Sequence, residues 1–305
     1  MWLINTSTLQ LELFTPPTLP RYAILSHTWG DDEVGFSEFR NQRWVETTTT
    51  RGLAKIRMTC RLARDRGIPY AWVDTCCIDK SSSAELSEAI NSMFGWYRRS
   101  AVCFAFVEDW GPRVQWAEFG ETDLKPLKWF TRGWTLQELI APTAMEFYDA
   151  SWGLRGVKKD PLVVGHLSRI TGIGARVLGD GSESELRSVS VGQRMSWAAY
   201  RETSRVEDIA YCLLGIFQVN MPMLYGEGSR AFTRLQEEII KSSTDLSIFA
   251  WCQDGGESES EYRGILACHP REFKGLRECE LVQSQLLGTE EITISNKGLR
   301  LHTSL

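Results

Sequence analysis

Apolar and polar positions along the first half of the chain change period repeatedly, and each change predicts an element. Leu9, Leu11 and Leu13 alternate with polar neighbours before Pro16, Pro17 and Pro20, so residues 1–20 read as a short extended segment. Tyr22 to Ser26 is a compact apolar run bounded by polar and Gly residues, the pattern of a buried strand. From Gly52 to Arg66, Leu53, Ile56, Cys60 and Ala63 fall on one helical face, and Gly67 supplies a stop. Tyr70 to Thr75 reads as a second buried strand. Ser82 followed by Glu85 forms a capping box, and Leu86, Ile90, Met93 and Tyr97 make the inner stripe of the helix it opens. Ala101 to Val107 is a third apolar strand, whereas the polar, irregular stretch 108–130 predicts no element. Thr131 is placed to cap a helix through Leu136, Leu139 and Ile140 that Pro142 stops, and Met145 to Tyr148 is a fourth strand.

Strand and helix thus alternate four times between residues 22 and 148. That order predicts an α/β class with a doubly wound, mostly parallel sheet, its strands joined by right-handed helical crossovers, over residues 1–155. Beyond residue 155 the pattern turns helical. Leu162, Leu167 and Ile170 mark a short helix, and the Gly-containing stretch Gly179 to Ser190 reads as an exposed loop. Three helical segments follow at Val191 to Arg201, Val206 to Phe217 and Gly228 to Lys241, the last with a stripe of Phe232, Leu235 and Ile239. Residues 156–251 therefore read as a helical extension. Gln253 to Glu261 has linker composition, and Glu291 to Ile294 and Gly298 to His302 alternate like hairpin or edge strands, so 252–305 reads as a linker and the start of a small β-rich tail. Because the chain stops at Leu305 inside such a strand, it is expected to be a fragment of a longer protein.

Composition narrows the classes. At 305 residues, 43% hydrophobic and 24% charged, the chain has the make-up of a globular protein with one large or two modest domains. A net charge of −5 argues against non-specific nucleic-acid binding, which needs a basic face. No apolar run is long enough to span a membrane, and Met1 to Asn5 lacks the basic and apolar regions of a secretory signal. The eight Cys are scattered, with only Cys76 and Cys77 adjacent and no spacing suited to zinc. Reduced thiols in a cytoplasmic protein, with no metal or resident cofactor, are the expectation.

In an open parallel sheet, ligands bind beyond the carboxyl ends of the strands, where short loops and helix N-termini converge. The first strand delivers Ser26, His27, Thr28, Trp29 and Gly30 there, the second Asp74, Cys76, Cys77 and Asp79, and the third Glu108, Asp109 and Trp110. The last helix opens with Arg132, Gly133 and Trp134 and carries Glu138 about one turn in. Each also has a plain reading: Asp79 as a helix cap, Cys77 as a packed thiol, Trp134 as core, His27 as a loop histidine, Arg132 as half of an ion pair. Glu138 stands out because Leu136, Leu139 and Ile140 surround it. A carboxylate sunk among such neighbours has its pKa raised and marks functional sites; the competing reading turns it to solvent. Arg194, Arg201 and Arg205, near Glu202, Glu207 and Asp208, are either an ion-pair network or a basic rim for an anion.

Tyr22 to Gly30 (YAILSHTWG), Gly67 to Lys80 (GIPYAWVDTCCIDK) and Arg132 to Pro142 (RGWTLQELIAP) resemble the three signature blocks of the HET (heterokaryon incompatibility) domain. Arg194 to Tyr211, Leu213 to Gly228 and Phe232 to Ile240 are similar to the region downstream of it, so the resemblance covers roughly residues 20–251. It implies a filamentous-fungal effector of incompatibility and programmed cell death, an innate-immunity-like role with self-association or NLR-like partner proteins. The family is more distantly similar to TIR domains, which implies a flavodoxin/TIR-like sheet and, for some members, cleavage of the nicotinamide–ribose bond of NAD. In TIR domains a Trp-Cys-x-x-Glu-Leu stretch carries the catalytic Glu; Trp134 to Leu139 keeps the Trp and Glu138 at that spacing, with Thr135 in place of the Cys. The Ser26-His27-Thr28-Trp29-Gly30 block departs from the TIR opening strand.

Two expectations follow. As an NAD-cleaving enzyme, the chain would use Glu138 on the developing ribosyl cation, Trp134 or Trp29 as a stacking platform, Arg132 or His27 on the pyrophosphate, with Ser26, Asp74, Cys77 and Asp79 completing the substrate pocket. As a non-catalytic signalling or assembly module, it would use the same residues as a structural polar core. Hydrolysis through Cys77 and His27 is a minor third reading.

Overall fold

The computed structural model of the chain describes residues 1–15, 17–41, 50–116, 127–253, 264–277, 293–295 and 298–300. The first half runs β1 (Trp2–Asn5), β2 (Leu11–Leu13), β3 (Tyr22–His27), α1 (Phe36–Arg40), α2 (Arg51–Asp65), β4 (Tyr70–Trp72), α3 (Ser83–Arg99), β5 (Val102–Phe106), α4 (Lys128–Thr131), α5 (Thr135–Ile140), β6 (Met145–Tyr148) and β7 (Leu154–Val157). A helical half follows: α6 (Pro161–Thr171), α7 (Ala175–Asp180), α8 (Glu183–Arg187), α9 (Val191–Ser196), α10 (Asp208–Tyr211), α11 (Leu214–Phe217) and α12 (Arg230–Ser242). A separate hairpin pairs β8 (Thr293–Ser295) with β9 (Gly298–Arg300), where alternation predicted strands.

The protein is α/β. Seven strands form one mixed sheet in the order β2-β1-β4-β3-β5-β6-β7. Its centre, β4, β3, β5 and β6, is parallel, as the strand–helix alternation requires. All six residues of β3 and all five of β5 are buried, which is why β5 and β3 up to Leu25 read as apolar runs rather than alternating ones, with Ser26 and His27 as the polar end of β3. β3 is paired on both sides, to β4 and β5, so the strand order reverses at its carboxyl end, where a crevice forms.

Both edges are antiparallel, which the alternation did not predict. Residues 2–13 are a hairpin rather than one extended segment, with Leu9 turned to φ 57° beside the reversal, and β1 pairs with β4. β7 adds to β6 with Leu154 and Val157 exposed; it is defined by backbone pairing and has no apolar signature to read. β4 is shorter than its apolar run because Val73 O accepts the amides of Cys76 and Cys77 and turns the chain.

Helix ends follow local chemistry, with corrections. Thr50 and Ser82 cap α2 and α3. The Ser82–Glu85 box is half formed, because the Glu85 carboxylate accepts the Asp79 amide instead of that of Ser82. Thr131 does not cap the Glu138 helix. It ends α4 and donates to Lys128 O, and α5 starts at Thr135 without a side-chain cap. Residues 179–190 are not an open loop: Ser182 caps α8, Leu186 is buried and Val189 packs against the core, two apolar anchors in a polar stretch. The predicted segments 191–201 and 206–217 break into the shorter turns α9, α10 and α11, while α12 buries Phe232, Leu235 and Ile239 as its period requires. The predicted linker at 253–261 lies, except for Gln253, outside the described residues.

All six residues of α5 are buried. Its last carbonyls are gathered by Lys158, itself almost fully buried, whose ammonium donates to Leu139 O (2.6 Å), Ile140 O (3.1 Å) and Pro142 O (2.8 Å). A cation at a helix C-terminus satisfies orphan carbonyls and complements the dipole. The result fixes α5, and with it Glu138, against the sheet.

Candidate functional site

Ser26 is the fifth residue of β3 and points at α5, where its hydroxyl donates to Glu138 Oε2 at 2.5 Å. Trp129 Nε1 donates to the same hydroxyl at 2.9 Å, so the serine is oriented from both sides. Tyr97, on the inner face of α3, donates to Leu25 O at 2.8 Å and lies against the Glu138 carboxyl. Arg201 closes the far side, donating to Arg132 O (2.8 Å) and Thr135 Oγ1 (3.0 Å). Glu138 is only 5% exposed. Burial raises its pKa to about 8, and the negative charge of Asp74 adds to the rise, while Ser26, Tyr97 and Arg201 pull the other way.

His27, next along β3, faces the neighbouring strand. Its Nε2 meets Asp74 Oδ1 at 3.0 Å, and Trp29 Nε1 donates to Asp74 Oδ2 at 2.8 Å. Burial of Asp74 opposes ionisation, but contact with His27, the charge of Lys80 and the Trp29 donor together hold its carboxyl below the usual range. On the other side of the imidazole, Nδ1 is buried without a hydrogen bond and lies 3.7 Å from Glu33 Oε1. Glu33 is paired with the buried Lys55 of α2 at 2.6 Å, and Lys55 also donates to Thr28 O at 3.0 Å. This buried ion pair pins the loop that follows β3.

These groups open into one cavity of about 260 Å³ at the carboxyl edge of the parallel strands. Glu138, His27, Asp74, Trp29, Arg132 and Trp134 all line it, and Ser26 stands directly behind Glu138. Ile78, Ile90 and Met93 form an apolar wall, the last two from the face of α3 read as its inner stripe. The opposite wall comes from the helical half: Trp134 Nε1 donates to Asp208 Oδ2 (3.3 Å) and Tyr225 to Asp208 Oδ1 (2.9 Å). Burial raises the Asp208 pKa against the pull of Tyr225, Trp134 and Arg205. A second, open cleft of about 570 Å³ lies across Trp29, among Asp32, Arg51, Glu108 and Lys128.

Of the other residues that the strand and helix ends deliver, Gly30, Glu108 and Asp109 line the second cleft, Cys76, Trp110 and Gly133 line neither, and Cys77 and Asp79 lie away from the cavity. Cys77 is packed under the β4 turn with its Sγ 3.4 Å from the Val73 amide. Asp79 Oδ1 accepts both the amide (3.0 Å) and the hydroxyl (2.6 Å) of Ser81 and shapes the turn before α3. Lys80, Ser204 and Tyr225 line the cavity without a sequence signal, and Arg205 and Asp208, read as an ion-pair network or a basic rim, line it too. For Lys55 a signal existed: a lysine set among Leu53 and Ile56 on an apolar face. Of the arginine-rich stretch, Arg194 reaches Ile216 O and the Phe217 ring, Arg201 reaches backbone and Thr135, and Arg205 lies over Tyr225, so carbonyls and rings rather than carboxylates hold them. Among the described residues, no group of three or more His, Cys, Asp or Glu is placed to hold a metal ion, and no helix is long and apolar enough to cross a membrane.

A parallel α/β centre with a polar cavity at its strand-order reversal defines a class of ligand-binding architecture, and the comparisons give it a family. Residues 22–117 match the model of the heterokaryon incompatibility protein (HET) family, and residues 230–292 match a domain of unknown function (DUF8212). The chain is similar to the vegetative incompatibility protein HET-E-1 of Podospora anserina, 44% identical over 263 residues, or 81% of this chain. The chain belongs to the HET-domain family. It spans 18% of that relative's length, and no solved structure matches it.

Proposed function

We propose that the chain acts in heterokaryon incompatibility as a cytoplasmic cell-death effector, and that it does so by cleaving NAD at the nicotinamide–ribose bond. The observation that carries this reading is Glu138: a carboxyl on a wholly buried helix that nonetheless faces a cavity, at the TIR-like spacing from Trp134. The parallel strands taken alone run second-first-third-fourth, the order of a flavodoxin-like sheet, which supports the TIR-like part of the reading. The working unit is residues 1–155 together with the helical extension 156–251 that closes the cavity.

In the reaction, the C1′–N bond breaks with its electron pair going to the nicotinamide ring, whose positive charge is thereby cancelled. Charge develops on the ribose, and water bonds to C1′ and releases a proton. Glu138 in its ionised form stabilises the ribosyl cation or takes that proton, and a pKa of about 8 keeps it poised near neutrality. Trp134 supplies a ring beside it. The direct test is nicotinamide release from NAD by purified protein, under conditions that favour assembly. Release that Glu138→Gln abolishes is expected. No release, or full release by Glu138→Gln, overturns the catalytic reading, and cell killing that survives Glu138→Gln assigns the output to partner recruitment instead.

A further inference from the structure

Three cations line the Glu138 cavity: Arg132, which donates to Ser204 Oγ at 2.9 Å, and two that stand at the mouth in matching arrangements. On one side, Lys80 Nζ lies 3.8 Å from the centroid of the Trp29 ring, and Trp29 in turn donates to Asp74 at 2.8 Å. On the other, the Arg205 guanidinium lies 4.5 Å over the Tyr225 ring, and Tyr225 donates to Asp208 at 2.9 Å. Each of these two is thus held over a ring that is itself tied to a carboxylate. The two carboxylates are already occupied, Asp74 by His27 and Trp29 and Asp208 by Trp134 and Tyr225. Neither Lys80 nor Arg205 enters a salt bridge among the described residues; Lys80 feels the Asp74 charge and Arg205 that of Asp208 without a direct ion pair.

Burial along the lining sets a direction. Ile78, Ile90, Met93 and Glu138 are all less than 10% exposed, whereas Lys80 and Arg205 are exposed. The inner end therefore offers apolar surface and one carboxyl that can bind hydroxyls, and the outer end sets Lys80, Arg205 and Arg132 against the hydrogen-bonded carboxylates of Asp74 and Asp208, an excess of positive charge. A ligand that matches has a sugar or flat ring leading and an anion trailing. The volume limits its size: about 260 Å³ falls below the roughly 300–1,000 Å³ usual for sites that enclose a drug-sized ligand. The neighbouring cleft brings Asp31, Asp32, Glu108 and Asp109 against only Arg51 and Lys128, an environment that repels a second phosphate.

We propose that the cavity takes a single phosphorylated ribosyl unit, with Lys80 and Arg205 gripping its phosphate at the mouth, so that a dinucleotide enters by one half only. The ribosyl identity rests on the NAD-cleaving reading; the anion grip rests on the cavity alone. His27 takes no part in holding phosphate, because its Nε2 is committed to Asp74.

The test is calorimetric titration of the Glu138→Gln protein, which avoids turnover, with nicotinamide mononucleotide against nicotinamide riboside, and with adenosine monophosphate against adenosine. At least one monophosphate is expected to bind about tenfold or more tighter than its nucleoside, the scale of a charge-assisted contact. Lys80→Met and Arg205→Met, both at exposed positions, are each expected to shrink that ratio to about threefold or less while leaving nucleoside affinity unchanged, and added salt to weaken only the monophosphate. Equal binding of nucleotide and nucleoside, binding of neither, or a ratio that survives both substitutions overturns the proposal. The two readings fail separately. A phosphate preference in a protein that never releases nicotinamide keeps this site and removes the catalytic role. Nicotinamide release with KM unchanged in the Lys80→Met, Arg205→Met double variant does the reverse.

Discussion

Replacing Glu138 by glutamine keeps the shape of a buried side chain and deletes its titration, so the pH dependence of folding isolates its environment. In the unfolded chain this carboxyl loses its proton near 4.5; in the folded protein burial beside Asp74 holds the proton to about pH 8. Between those values the native state binds a proton that the unfolded state has released. Stability therefore falls as pH rises through the window, fully retained below 4.5 and lost once pH passes 8. The displacement from 4.5 to about 8 corresponds to on the order of 5 kcal/mol over the whole window, or about 1.4 kcal/mol per pH unit inside it. Urea unfolding followed by Trp fluorescence from pH 5.5 to 8.5, with wild type and Glu138→Gln in parallel, reads this directly. Other titrating groups cancel in the difference between the two proteins. Wild type is expected to lose about 3 kcal/mol relative to the variant between pH 5.5 and 7.5. Parallel curves across that range would refute the argument, because they would mean that the carboxyl is solvated and free to ionise.

Further outcomes follow from the same geometry. If Glu138 acts as a carboxylate, nicotinamide release rises about tenfold per pH unit up to about pH 8 and then levels off; a flat profile from pH 6 to 8 removes it from the rate-limiting chemistry. Lys158→Met strips the donor from three buried carbonyls at the end of α5 and is expected to cost about 2–4 kcal/mol, seen as a lowered urea midpoint; an unchanged midpoint would show that α5 ends without this clamp. Gly181→Ala places a Cβ 2.3 Å from Ile140 O at a residue with φ 58°, and neither the backbone oxygen nor the dihedral can yield cheaply, so a loss of about 1–3 kcal/mol in thermal unfolding is expected and a neutral effect would contradict the close approach of α7 to α5.

The parallel centre was legible because burial on both faces leaves nothing to alternate: Tyr22 to Leu25 and Ala101 to Val107 are apolar throughout, and the helices between them carry a clear 3.6-residue stripe. The antiparallel edges were not. β1 buries only the adjacent pair Leu3 and Ile4 and β7 buries none of its four residues, so neither carries a period that separates strand from loop, and backbone hydrogen bonds to β4 and β6 define them. The helical half was legible where a long amphipathic stripe exists, as in α12, and illegible where four-residue turns such as α10 and α11 are set by tertiary contact.

For the site, sequence reasoning reached the residues that strand ends deliver and missed those that arrive from a distance in the chain. Ser26, His27, Asp74 and Glu138 converge because β3, β4 and α5 must meet where the strand order reverses, a consequence of topology alone. Asp208 and Tyr225 reach the same cavity because Arg201 bonds Arg132 O, Glu202 bridges to Arg132 and Asn91 of α3 holds Met221, locking the helical half onto α3 and the start of α5. No spacing rule connects residues 132 and 202. Physically, that lock walls one side of the crevice with Ser204, Arg205, Asp208 and Tyr225. From that wall Arg201 acts on the Glu138 carboxyl and Arg205 on that of Asp208, which makes the extension part of the site's electrostatics rather than an appendage to it.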